Sequence, residues 1–159
     1  MQRVCLAFLR FCLSAWVGIA IFFVMVVIEL RHSKLFDDEV KFNHPRILFP
    51  LYYGFEFALV GTALVCAWAG LGNARIARVR RFSTLALVGA AVGIAIWDYA
   101  VVYRTLVGMM ATNVLPADFV GLHQQSRWLN AAGLVFSALA AILALWPVTS
   151  SEAEAPAQK

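Results

Sequence analysis

The chain has 159 residues, 62% of them hydrophobic and 14% charged, with a formal net charge of +4 and a mean hydropathy of +0.78. Soluble domains are nearer about 45–50% apolar and about 25% charged, so this composition argues against a water-soluble globular protein. Nor does the positive balance point to nucleic acid: the basic residues flank hydrophobic runs, where they serve as topology signals and lipid-headgroup contacts.

In chain order, residues 11–30 are apolar with only Glu29 near the end, residues 47–71 carry only Glu56, residues 82–107 carry Asp98 and Arg104, and residues 128–148 carry no charge. Each run reaches across ~30 Å of hydrocarbon at about 1.5 Å per residue. Four spans are predicted, at about 11–30, 47–71, 82–107 and 119–147, forming one all-α integral membrane four-helix bundle over residues 1–148. The tail, residues 149–159, has the composition of a disordered end. Arg3 and Arg10 resemble the positive start of a secretory signal. The apolar core that follows is longer than the ~7–15 residues of a signal, and no small-x-small cleavage site precedes Glu29, so a retained span is expected.

Between the runs, residues 31–46 read as a polar connection, residues 72–81 as a connection with four arginines and no acid, and residues 108–118 as a short, mostly uncharged one. With four spans, both termini and the second connection share a side. That side holds Arg3, Arg10, Arg75, Arg78, Arg80, Arg81 and Lys159, against Arg31, Lys34, Lys41, Arg46, Arg104 and Arg127 on the other. The density of the second connection favours termini in the cytoplasm and a plasma (inner) membrane location. Cys5, Cys12 and Cys66 lie toward that same side, where thiols stay reduced. Ser14 and Gly18, Gly54 with Ala58 and Gly61, and Gly89 with Gly93 give small faces suited to close helix packing or to a membrane-protein partner or second copy. Trp16, Trp68, Trp128 and Trp146 sit where interfacial anchors belong, and Trp97 is expected in the core.

Ionisable groups inside a span are costly and face the interior, a partner or water. Glu56 lies about two turns into the second span and Asp98 near the middle of the third, followed by Arg104. His123, Ser126, Arg127 and Asn130 open the fourth. With alternating helix directions, all fall in the non-cytoplasmic half. On a helix, His123, Ser126, Asn130, Gly133 and Ser137 fall on one stripe of polar and small residues. The expected polar cluster is therefore Glu56, Asp98, Arg104, His123, Ser126, Arg127 and Asn130, either fixing helix register and shaping an outward pocket, or handling a proton, ion or small solute. Asp98 with Arg127, and Glu56 with His123, are possible pairs. His123 with Glu56 or His44 offers a weak metal set, since imidazole and carboxylate suit Zn, Cu or Ni. Histidines at loop positions do not suit a membrane haem. Cys5 and Cys12 are roughly 10 Å apart along a helix and cannot chelate one ion. No phosphate loop, nucleophile elbow or Cys/His dyad appears, so neither an enzyme nor a cofactor is expected.

The segment Leu122-His123-Gln124-Gln125-Ser126-Arg127-Trp128-Leu129-Asn130 resembles the L-H-x-x-S-x-x-x-N signature opening the last helix of the transmembrane protein 205-like family, small four-span bacterial membrane proteins of unknown function. Ile47-Leu48-Phe49-Pro50-Leu51-Tyr52-Tyr53 resembles the entry to that family's second helix, and Trp16-Val17-Gly18 with Phe22-Phe23 its first. The resemblance implies a four-span membrane protein and no particular reaction. A short third connection and the Trp97-Asp98-Tyr99 triplet depart from the pattern, so no role for Asp98 carries over. A weaker architectural likeness to copper-resistance D proteins keeps metal or small-solute handling as the alternative activity, for which the placement of the residues themselves offers Glu56, Asp98 and His123 as ligands or proton carriers.

Overall fold

The computed structural model describes residues 2–71, 78–110 and 116–146, and every regular element among them is helical. In order these are α1 (Gln2–His32), α2 (Asp38–Leu71), α3 (Arg78–Trp97), a π-helical segment (Asp98–Tyr103), α4 (Arg104–Met110) and α5 (Phe119–Leu145). The stretch Arg78–Met110 runs on as a single rod, so the architecture is an all-α four-helix bundle. Helix α1 packs chiefly on α2 and α3 on α5, with α2–α3 and α1–α5 contacts closing the ring. Neighbouring rods run in opposite directions. Gly70 at the end of α2 meets Cys5 at the start of α1, and Arg10 near the start of α1 reaches the Ala144 carbonyl at the end of α5.

Gln2–His32, Glu39–Gly70, Arg78–Met110 and Phe119–Leu145 are long and apolar enough to cross a membrane. Their surfaces suit that solvent. Phe22, Trp68, Val79 and Val120 are 68%, 76%, 77% and 75% exposed. The interior instead holds small residues, with Ala63, Ala67, Ala91, Ala95, Ala140, Ala141 and Ala144 buried beside Leu9, Leu13, Val60 and Val88. Where lipid removes the hydrophobic drive between helices, small side chains allow the close backbone approach that dispersion needs.

The helices begin and end for local reasons. The Asp37 carboxylate accepts the Val40 N–H at 2.8 Å, an N-cap that starts α2. The expected connection at 31–46 therefore shrinks to residues 33–37, and Pro45 and Pro50 lie inside α2. At the other end, Trp146 takes an extended conformation (φ −54°, ψ 132°), as a residue preceding proline must, and α5 stops at Leu145. Arg10 Nε donates to the Ala144 carbonyl and Arg80 Nε to the Leu143 carbonyl, both at 2.8 Å, while Arg80 also reaches the Trp146 carbonyl. Two guanidinium groups thus cover the negative end of the α5 dipole. The expectations for residues 72–77, 111–115 and 147–159 lie outside the described residues.

Two expectations are corrected by the packing. Trp16, read as an anchor at the interface, is fully buried, and Trp97, read as core, is 55% exposed. Ser14, Gly18, Gly54, Ala58 and Gly93 point outward, and a Cβ built on Gly18, Gly54, Gly61, Gly89 or Gly93 meets nothing within 4 Å. Those small faces do not join the four helices; the buried alanines do. The one close backbone approach among the described glycines is at Gly70, where a Cβ would lie 2.9 Å from the Cys5 Cβ.

The third rod contains the main irregularity. Besides Tyr103, its buried positions step Thr84, Val88, Ala91, Ala95, Asp98 and then Asp98, Val102, Leu106, Met110. At 3.6 residues per turn, three successive steps of four drift by about 120°. The wider π turn absorbs that drift, and its signature is the Arg104 N–H donating to the Tyr99 carbonyl, five residues back.

Candidate functional site

Asp98 opens the π segment, 1% exposed. Its Oδ2 accepts three hydrogen bonds: from the Tyr53 hydroxyl of α2 at 2.6 Å, from the Ser126 hydroxyl of α5 at 3.1 Å, and from Asn130 Nδ2 of α5 at 2.5 Å. Asn130 Nδ2 also donates to the Ser126 carbonyl at 2.9 Å, which fixes the amide on its own helix before it meets the acid. One carboxylate oxygen therefore joins three of the four rods. Hydrogen bonds between helices in lipid are worth about 0.6–1.7 kcal/mol each. Three of them offset most or all of the ~2.5–3.5 kcal/mol that an acid costs near mid-membrane.

Aromatic rings enclose this centre on the α1–α2 side. Tyr53 packs on Tyr103 and Tyr99 with centroids 4.9 and 5.2 Å apart. Tyr52 packs on Phe23 at 4.5 Å and Trp16 at 5.0 Å. Tyr99 and Tyr103 lie four residues apart and Trp16 and Phe23 seven, one face of each helix, while the adjacent Tyr52 and Tyr53 point to either side of α2's inner face.

Glu56 is the second buried acid, 4% exposed, and lies within electrostatic reach of Asp98. It sits about one turn deeper. A Cβ on Gly133 would lie 3.8 Å from both Glu56 Oε1 and Ile94 Cγ2, and Ile94 is one turn below Asp98 on α3. Asp98 Oδ1 and Glu56 Oε2 are both buried with no hydrogen-bond partner among the described residues.

Of the residues named from the sequence, Asp98, Ser126 and Asn130 meet directly, and Glu56 adjoins them. Arg104 and Arg127 do not belong to the cluster. Both point outward, and Arg127 donates to Gln124 on its own helix at 3.3 Å, so the Asp98–Arg127 pair does not form. The half-buried His123 lies parallel to Phe119, with ring centroids 6.1 Å apart, rather than against Glu56. His44 stays in the early turns of α2. Among the described residues, no three His, Cys, Asp or Glu side chains converge to hold a metal ion, so His123, Glu56 and His44 do not assemble as a ligand set, nor do Glu56, Asp98 and His123. Cys5, Cys12 and Cys66 are free thiols. An open depression where α1 ends is lined by Val26, Glu29, Leu30, Ser33 and Phe36, away from both buried acids.

Tyr53 and the π turn are the parts that sequence reasoning missed. Tyr53 precedes Glu56 by three residues, which puts both on one helix face, and that spacing was the available signal. For the π turn there was none. Comparisons with family models, curated proteins and solved structures find no match to this chain.

Proposed function

We propose that this chain is a multi-pass membrane protein without enzymatic activity of its own, whose working part is the carboxyl-centred network in the half of the bundle where α1 ends and α5 begins. The observation that carries the reading is the convergence of α2 and α5 donors on one oxygen of Asp98. An intramembrane acid held by donors from separate helices fixes their rotation and height, because any slip leaves a polar group unpaired in hydrocarbon. The network is thus the register lock of an otherwise smooth, alanine-lined interior. Kinship with the transmembrane protein 205-like proteins is part of the same proposal. It is supported by the placement of the motif residues Ser126 and Asn130 on the network and of His123 one turn before it.

The orientation proposed puts both termini and the arginine-rich 72–81 connection in the cytoplasm, across the plasma (inner) membrane. Arg10, Arg78, Arg80 and Arg81 gather at that end of the bundle. Reporter fusions after Arg78 and after Lys159 test it, and extracytoplasmic signals from both would reverse it. Asp98→Leu tests the lock. The variant is expected to lose most of its folded yield in mild detergent, and a thermal midpoint equal to that of the parent protein would sink the reading.

A further inference from the structure

We infer that Glu56 and Asp98 form a proton-binding pair inside the bundle, with the proton resident on the Glu56 carboxyl. The inference deepens the proposed network and rests on its geometry, but not on whether the network determines stability.

The two acids are treated unequally by their surroundings. Three neutral donors converge on Asp98 Oδ2 and stabilise a charge there. Glu56 is almost as fully buried, yet its Oε2 has no hydrogen-bond partner among the described residues. On its α5 side stands Gly133, with no side chain to donate. Two ionised carboxylates so placed would repel each other in a medium of low dielectric, with nothing to offset the second desolvation.

The charged and titratable groups facing the pair are few. Helix α2 contributes Tyr52 and Tyr53, and the π segment contributes Tyr99 and Tyr103. From α5 come the neutral Ser126 and Asn130. From α1 comes Trp16, whose indole N–H is itself buried without a hydrogen-bond partner among the described residues. Along the neighbouring helices, Arg104 and Arg127 are exposed and point outward, while Arg10 and Arg80 bond to the far end of α5. No Lys or Arg among the described residues bonds to either acid.

A proton fits this site better than a metal ion. The Tyr53 and Ser126 hydroxyls and the Asn130 amide present hydrogens, not lone pairs, to Asp98. A hard cation needs a shell of oxygen ligands, and no third acidic or imidazole ligand converges there. A proton needs only one carboxyl oxygen. The step is simple: a glutamate carboxylate takes a proton from a hydronium ion, which leaves as water, and becomes a neutral carboxylic acid, and the reverse returns it.

The test is infrared difference spectroscopy on the purified full-length protein in lipid nanodiscs, titrated in pH with and without sodium. The parent protein is expected to show the carbonyl stretch of a buried, protonated carboxylic acid near neutral pH. Carboxyl-labelled glutamate should shift that band without any mutation, and labelled aspartate should not. Glu56→Gln should abolish it while leaving the thermal midpoint close to the parent's, whereas Asp98→Asn should keep it at a shifted position. Absence of the band at every pH overturns the inference, as does a band that follows aspartate labelling. Loss of the band on adding sodium at constant pH assigns the site to a metal ion and overturns it too. A band that persists while Asp98→Leu leaves stability unchanged would sink the register lock and keep the proton site.

Discussion

The Tyr53 hydroxyl and the Asp98 carboxylate, 45 residues apart in sequence, meet at 2.6 Å in the bundle interior. This bond ties α2 to the π turn. Tyr53→Phe removes the donor and little else, since the ring keeps its contacts with Tyr99 and Tyr103. The expected loss is about 0.6–1.7 kcal/mol, the range for single hydrogen bonds between membrane helices. Reversible unfolding in detergent measures it, and an unchanged stability would remove Tyr53 from the lock.

Asn130→Ala should cost a similar amount by itself. Combined with Tyr53→Phe, the two losses are not expected to add, because both donors serve the same oxygen. A double-mutant cycle with an interaction energy near zero would mean that each donor acts alone.

Gly70→Ala should destabilise the bundle by about 1–3 kcal/mol, the usual range for overpacking. The added methyl would lie 2.9 Å from the Cys5 Cβ and 3.5 Å from the Leu6 nitrogen, so helix backbone must move. Gly93→Ala, which meets nothing within 4 Å, should be neutral or slightly stabilising through helix propensity. Equal thermal midpoints for the two variants would contradict the α1–α2 approach.

Arg80→Ala removes the donors to the Leu143 and Trp146 carbonyls. Hydrogen bonds from charged groups contribute about 1.5–3 kcal/mol, and the effect should appear locally, as faster hydrogen exchange in the last turn of α5. Protection unchanged there would show that Arg80 does not hold that end. Lys in place of Arg should restore only part of it, as a point charge lacks the forked donors.

Several features of this fold follow from periodicity and depth alone. The four runs became four rods, and the stripe of Ser126, Asn130, Gly133 and Ser137 faces inward, because spacing of three and four residues defines a face wherever the helix packs. Depth brought Asp98 level with Asn130. What depth does not give is rotation. Trp97 was placed in the core by its height, but the residue beside a buried Asp98 lies about 100° around the helix and so points out. Trp16 shares the spacing of Leu9, Cys12, Leu13 and Ala20, and that period, rather than its nearness to the interface, decided its burial. Arg104 and Arg127 matched the acids in height and carried the complementary charge, yet a long cation reaches headgroups more cheaply than it enters an interior.

The π turn has a consequence for comparing this chain with others. It lets the third rod carry one residue more than an α-helix of the same phase, so that Val102, Leu106 and Met110 stay buried as the rod runs on. A relative with an uninterrupted third helix would need a one-residue gap opposite residues 98–103 to be matched correctly. Without that gap, every buried position from Val102 onward would be paired with its neighbour, about 100° around the helix, and similarity in this span would be understated. Deleting the outward-facing Ala100 makes the idea concrete: the shortened rod should close into a regular helix with the same buried face.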